Sequence, residues 1–581
     1  MTVEKPSWQS IAERKRAALQ ELLPVSLQIE SVPSADNLPN VTGFIQTFLS
    51  PAELDITENH SAEALLSKLT AGELTATEVT KAFCHRATIA HQLVNCLSEI
   101  LFPQALSRAE ELDDYYRTHG KPIGPLHGLP ISLKDQFRVE GTETSLGYVA
   151  WLDAVETQET ESWLVKALKG MGAIIIAKTN VPSSLMAIET NNNIVGYTTN
   201  PHNRLLSSGG SSGGEAALLS LRGSILGFGS DLGQFLSAAY SHPRVHHSGA
   251  DSGTFPQAGA SIRLPCSFTG ISGLKPSHGR LPYLKVANSM EGHETVPSVI
   301  GPMGHNISDL RFVVQKVIEH SPWLTDPKVI HLPWRSEIEN EVHERKAAKR
   351  LTFGVLRHDG VVKPHPPVAR AIEQTVHALE AAGYEVIEWS PPPHSEAFHI
   401  LWNTFAVDGG IDIHRTLQQS GEPPVPQLAV SYGENLGHLP VSTVNDLWKI
   451  QQQRYDYQVR YLEYWNSTAA CTRSGQPVDA IIAPTSPTTA YRPSEGMYFG
   501  YTGVYNVLDF STVAVPVTKV DRAQDIQVED YSPSGDLDAA IWKQYNPDLF
   551  HGSPVGVQVI CRRLEEEKVL AIAEEVQATL G

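Results

Sequence analysis

The chain has 581 residues, 41% of them hydrophobic and 19% charged, with 39 prolines and 43 glycines, which is the composition of a globular protein with ample apolar material for a large core. Its net charge of -19 argues against binding nucleic acid or adsorbing to anionic membranes, so small neutral or cationic ligands fit better. The five cysteines, Cys84, Cys96, Cys266, Cys471 and Cys561, lack CxxC spacing and indicate neither a zinc site nor a disulfide framework.

From Trp8 to about Leu23, the apolar residues Trp8, Ile11, Ala18 and Leu22 alternate with charges in a helical rhythm and predict a surface helix. The N-terminal MTVEKPSWQSIAERKRAALQ carries charge where a signal peptide needs an apolar core, and no apolar run approaches membrane-spanning length. A cytoplasmic protein is expected. From Ser61 the pattern gives two or three helices, with Ser61 and Thr75 as N-caps and Gly72 as the break between them. Another helical pattern after Pro103 ends at Gly120. Turn residues from Pro122 then lead into a short apolar strand, Leu129 to Leu133, that ends in Lys134. A lysine closing an apolar strand is liable to desolvation, which lowers its pKa toward the range where the neutral amine acts as a base. The following LVKALKGMGAIIIAKTNVP alternates helix, strand and loop, the rhythm of an α/β protein.

The stretch from Ser207 to Arg280 is the richest in chemistry. SSGGSSGG, Ser207 to Gly214, has the composition of a flexible linker, but a linker continues polar, whereas this run enters EAALLSL, a strong helix former whose acidic first residue suits a helix N-terminus. A phosphate-cradling loop is excluded because Gly214 is followed by Glu215 instead of lysine. What remains is backbone that bends sharply and serines placed as nucleophiles.

The segments GLPISLKDQ, GGSSGGEAALLSLRGS, GSDLG, SIRLP and GLKPSHGR resemble the amidase signature family, and from about Leu49 to Leu580 the chain is similar to its fungal acetamidase branch. The resemblance implies a single α/β/α domain around a large mixed central sheet flanked by helices, not the three or four domains that length alone allows. On this reading residues 1–60 form an N-terminal helical extension and 61–581 the amidase signature domain. The implied activity is hydrolysis of small monocarboxylic amides such as acetamide to the acid and ammonia, without metal or organic cofactor. The implied partners are the amide and water; a homodimer is compatible with it. Carried over position by position, Lys134 is the base, Ser211 the bridging serine and Ser261 the nucleophile. The peptide bond from Gly210 to Ser211 is expected to be cis. Leu232, Gly233, Ala260 and Ser261 would supply the N–H groups of the oxyanion hole, Leu185 a substrate contact, and Asp231 and Arg263 a pair supporting the loop. Serine needs a neighbouring base, and a hydroxyl that both donates and accepts is suited to relay its proton to lysine.

One departure stands inside these motifs. Gln234 to Gly259 separates Gly233 from Ala260, and its removal restores DLGASIRLP. Codons for Gly233 and for Ala258–Gly259 allow a GT donor and an AG acceptor in the same phase, so the segment is read as a translated intron, with a genuine surface loop as the competing account. Its His242, His246 and His247 lack carboxylate or cysteine partners at ligand spacing, so no metal site is assigned. The alternatives kept open are an amidase for arylalkyl amides such as indole-3-acetamide, an amidotransferase subunit, which the acidic balance does not support, and an amidase fold inactivated by the insertion. In the second half, RLTFGVLRHDG, a helix from about Val368 to Ala382 and GYEVIEWSPP predict strand, helix, strand. Aromatic residues between Phe398 and Trp465 read as core packing with a secondary option of lining an acyl pocket, and VDAIIAPTSP and FSTVAVPV as buried strands. The last helix packs through Val569, Leu570, Ile572 and Val576.

Overall fold

The computed structural model describes residues 6–231, 260–496, 498–528 and 530–581. An eleven-stranded sheet runs through them in the order Leu97–Ile100, Ile174–Thr179, Pro130–Lys134, Leu226–Asp231, Val299–Gly304, Ser272–Lys275, Ser511–Lys519, Pro554–Cys561, Ala480–Pro484, Thr352–Val355 and Glu385–Glu388. It is mixed. Pro130–Lys134 is parallel to both of its neighbours, as are the strands at the Glu385–Glu388 end, while the centre is antiparallel.

The side-chain period of two divides the core between the faces of this sheet. In Ala480–Pro484, Ala480 and Ile482 join one apolar cluster, and Ile481 and Ala483 join the other. The first cluster takes up the last helix, Glu566–Leu580, through the Val569, Leu570, Ile572 and Val576 face that its spacing predicts. The second takes up Trp389, Phe405, Tyr457, Tyr461 and Trp465, so these aromatic residues are core packing. Helices on both faces of a sheet complete the α/β/α arrangement.

Local signals placed many boundaries correctly. Ser61 caps Ala62–Ala71 by accepting from the Ala64 N–H, and Gly72 ends that helix at φ 71°, a left-handed conformation that glycine adopts without steric cost. Thr75 and Glu78 form a reciprocal capping box at the start of Ala76–Val94. Helix Phe102–His119 ends at Gly120, and strand, helix and strand follow as Thr352–Val355, Pro366–Ala381 and Glu385–Glu388. The first helix, Trp8–Leu22, is present, but its buried residues are Ala12 and Leu19, whereas Ala18 and Leu22 are exposed. Trp8 and Ile11 pack partly against the core beside Ala12, and on the same face Lys15 bridges two carboxylates, Glu99 at 2.5 Å and Glu143 at 2.7 Å. Residues of the first sixty also enter the main core, with Leu19, Leu23, Val41, Ile45 and Ile56 in the first cluster. Four cysteines are buried and unbridged, and Cys471 is exposed. Among the described residues no helix is long and apolar enough to cross a membrane.

Candidate active site

Parallel pairing of Pro130–Lys134 with Leu226–Asp231 sets Leu133 opposite Phe228, which carries Lys134 toward Ser230 at the end of the neighbouring strand. Lys134 is wholly buried. Its Nζ lies 2.7 Å from Ser211 Oγ, 2.8 Å from Ser230 Oγ and 3.4 Å from the Ser230 carbonyl oxygen. Burial brings its pKa down from 10.5 to about 7, against the pull of the carboxylates of Asp231, Glu215 and Asp135. A neutral amine is thus accessible near neutral pH, as the strand-end position suggested.

Ser211 follows the cis peptide bond Gly210–Ser211. The backbone of residues 187–189 lies directly over this turn, and a Cβ at Gly210 would stand 2.8 Å from the Ile188 carbonyl carbon. Beyond the turn, the Ser212 N–H donates to the Ser261 carbonyl oxygen at 3.1 Å, and helix Gly213–Ser220 begins. This tie brings the segment around Ser261 beside Ser211. Ser261 is wholly buried, and its hydroxyl has no hydrogen-bond partner among the described residues. Lys134 and Ser211 are therefore joined by a hydrogen bond, while the link from Ser211 to the Ser261 hydroxyl is not formed in this structure.

Asp231 and Arg263 are entirely buried and meet as a fork, with Arg263 Nε 3.1 Å and Nη2 3.2 Å from the two carboxylate oxygens of Asp231. Asp231 also accepts from the Ile262 N–H at 3.1 Å and from Asn506 Nδ2 at 2.9 Å. Burial pushes its pKa up, but the Arg263 charge and hydrogen bonds, with help from Asn506, hold it below the usual value. The pair grips the residue immediately after Ser261. Arg263 continues to the Thr502 carbonyl oxygen at 3.0 Å and to Gln558 Oε1 at 3.3 Å.

Ala260 is buried at φ 110°, a backbone region that side chains with a Cβ rarely occupy. Leu185 is buried, also with positive φ, and shares the second apolar cluster with Ala260 and Leu264. Leu232, Gly233 and the segment from Gln234 to Gly259 lie outside the described residues. Among the described residues no group of three His, Cys, Asp or Glu side chains has the arrangement of a metal site.

Several polar residues at the site escape motif reading. Ser230, Gln136, Ser132, Thr179 and Glu215 sit within or beside motifs, but nothing in their spacing says that they meet. Glu215 lies in the first turn of helix Gly213–Ser220, as its acidic character suits, and is buried there, accepting from Thr179 Oγ1 at 2.7 Å and from Ser132 Oγ. Burial raises its pKa to about 7, opposed by those hydrogen bonds and by Lys134. Gly227 leaves the space for it, since a Cβ there would lie 1.8 Å from Glu215 Oε1. The signal for these contacts is strand register, which only pairing with a second strand reveals.

The family model described as Amidase matches residues 78–234 and 253–570, and the break between the two matched stretches falls inside the Gln234–Gly259 segment. The chain belongs to the amidase family and is an amide hydrolase. It is 44% identical over 578 residues to an acetamidase of Aspergillus oryzae, covering 99% of each chain, and 44% identical over 578 residues to an acetamidase of Emericella nidulans, covering 99% of this chain and 98% of that one. Among solved structures, fatty acid amide hydrolase superposes with a TM-score of 0.86 at 32% identity, covering 99% of this chain and 95% of the other. A 6-aminohexanoate cyclic dimer hydrolase, at 18% identity and a TM-score of 0.65 over 90% of this chain and 98% of that one, shares the fold.

Proposed function

We propose that the protein hydrolyses small monocarboxylic amides, acetamide among them, to carboxylate and ammonia through a Ser-Ser-Lys acyl-enzyme mechanism in the cytoplasm, serving nitrogen utilisation. The observation that carries this reading is the buried hydrogen bond between Lys134 Nζ and Ser211 Oγ, with the amine's pKa near 7 and, tied to Ser212 by its carbonyl, a Ser261 whose hydroxyl has no partner among the described residues. The acetamidase relatives support the substrate class.

In this reading neutral Lys134 takes the Ser211 proton as Ser211 takes that of Ser261, and Ser261 Oγ bonds to the amide carbonyl carbon. The tetrahedral intermediate collapses when Lys134 returns the proton through Ser211 to the leaving nitrogen, releasing ammonia and leaving an ester on Ser261. Water then attacks the ester with the same pair as base, and Ser261 recovers its proton as the carboxylic acid departs. The Ser261 and Ala260 N–H groups, with Leu232 and Gly233 as the further donors of the proposed hole, would meet charge that develops on the carbonyl oxygen.

The test is ammonia release from acetamide and from indole-3-acetamide by the full chain, beside the same chain lacking 234–259. Turnover of acetamide by either form, abolished by Ser261→Ala, supports the reading, and a preference for indole-3-acetamide moves the substrate to the arylalkyl class. Activity in the shortened form alone assigns 234–259 to a retained intron; equal activity makes it a surface loop. Neither form releasing ammonia from either amide overturns the proposal in favour of an inactive amidase fold.

A further inference from the structure

We infer that Gln136 sets the direction of the hydrogen bonds around Lys134, so that the neutral amine turns its lone pair toward Ser211. The inference rests on the Ser-Ser-Lys reading above and adds a positioning residue to it. Gln136 is wholly buried just beyond the strand that carries Lys134. Its Nε2 donates to the Ala287 carbonyl oxygen at 3.1 Å and to Tyr283 Oη at 2.7 Å. A carbonyl oxygen only accepts, so the amide nitrogen has to be the atom facing Ala287. Reversing the amide would set two acceptors against each other.

Gln136 Oε1 therefore faces the Ser230 hydroxyl and accepts from it. A serine hydroxyl has one hydrogen. With that hydrogen committed to Gln136, Ser230 Oγ offers only lone pairs to Lys134 Nζ, 2.8 Å away, and the Ser230 carbonyl oxygen at 3.4 Å is an acceptor as well. Both hydrogens of a neutral lysine amine are thereby directed at Ser230. The remaining lone pair faces Ser211 Oγ at 2.7 Å, where the proton has to arrive. Were the Ser230 hydroxyl free to rotate, it would donate to that lone pair and block the base. Gln136 does this without charge, since a carboxylate in its place would favour protonated lysine.

The experiment measures kcat and KM for acetamide against pH in the full chain and in Gln136→Met, Gln136→Glu, Ser230→Ala and the Ser230→Ala/Gln136→Met double variant. Gln136→Met is expected to lower kcat by about 10- to 100-fold with little change in KM. On the Ser230→Ala background the same change is expected to cost less than about twofold, because its effect passes through the Ser230 hydroxyl. Gln136→Glu keeps that hydroxyl committed while adding negative charge, so its acidic limb moves to higher pH and its rate recovers on the alkaline side. Equal cost of Gln136→Met in both backgrounds overturns the inference, as does a kcat within about twofold of the unsubstituted chain. Absence of alkaline recovery in Gln136→Glu also overturns it, and that variant decides alone if Gln136→Met does not fold. Activity retained by Lys134→Ala or Ser261→Ala removes the Ser-Ser-Lys reading and this inference together, whereas loss in those two with Gln136→Met unaffected removes the inference alone.

Discussion

Lys134 Nζ lies 2.7 Å from Ser211 Oγ, and neither residue has any exposure to solvent. Burial lowers the amine's pKa to about 7, so the fraction in the basic form falls steeply below neutrality. The kcat/KM for acetamide should therefore drop about tenfold per pH unit on the acidic side of about 7 and level off above it. A pH–rate profile flat from about pH 5 to about pH 9 would contradict the assignment of Lys134 as the base.

The same burial costs stability. In the unfolded chain this lysine binds its proton up to about 10.5, whereas in the folded chain it does so only up to about 7. Between these values the unfolded state holds more protons, so stability rises with pH across the window, and the penalty is full below about 7. Lys134→Met should abolish activity yet stabilise the fold by on the order of a few kcal/mol near neutral pH. The gain should shrink as pH approaches 10.5. Urea midpoints of the two chains at neutral and alkaline pH read this directly.

Removing one partner of the buried Asp231–Arg263 fork leaves a charge without compensation. Arg263→Leu should destabilise the fold by about 3–5 kcal/mol, and Asp231→Asn added to it should restore part of that loss. Denaturant midpoints for both variants test the coupling; two independent, additive losses would mean that the pair does not act as a unit.

Gly227 faces Glu215 and Ser132 so closely that its substitution is a steric experiment. A Cβ would stand 1.8 Å from Glu215 Oε1 and 2.8 Å from Ser132 Oγ. Gly227→Ala should destabilise by about 1–3 kcal/mol, with Glu215→Ala on the same chain relieving much of it. Thermal melts of the single and double variants provide the comparison.

Backbone strain at Ala260 gives a further case. Its φ of 110° suits glycine, so Ala260→Gly should raise the melting temperature through relief of strain that outweighs the added freedom of the unfolded chain. A lowered melting temperature would show that the alanine methyl packs to more effect than the strain costs.

Elements with local causes were readable from sequence. Ser61, Gly72 and Thr75 act within one turn of their own position, and the Val569 to Val576 face follows from helical period alone. The strand-end position of Lys134 likewise foretold an amine shielded from water. Contacts that depend on register were not readable. Ser230 reaches Lys134 only because two strands pair at a particular offset, Gln136 meets Ser230 from just beyond the end of the Lys134 strand, and Glu215 turns inward because Gly227 on a neighbouring strand makes room. The first helix shows the same limit, since its inward face carries Lys15 between Glu99 and Glu143 beside apolar Ala12 and Leu19, and nothing in the helix's own sequence names those two carboxylates. Asp231 and Arg263 were expected to support the loop, but their complete burial comes from partners far along the chain.

Those distant partners impose an order on biosynthesis. Thr502 and Gln558, which complete the hydrogen bonding of Arg263, lie 239 and 295 residues beyond it. As the ribosome works toward them, the nascent polypeptide already contains Lys134, Ser211 and Ser261, but Arg263, two residues beyond the proposed nucleophile, still lacks these two acceptors. Strand Ser272–Lys275 also waits for Ser511–Lys519 before its second edge is paired. A polypeptide cut short before residue 502 would carry every proposed catalytic side chain and still lack these acceptors and the strand that pairs with Ser272–Lys275, so this enzyme is finished from its far end.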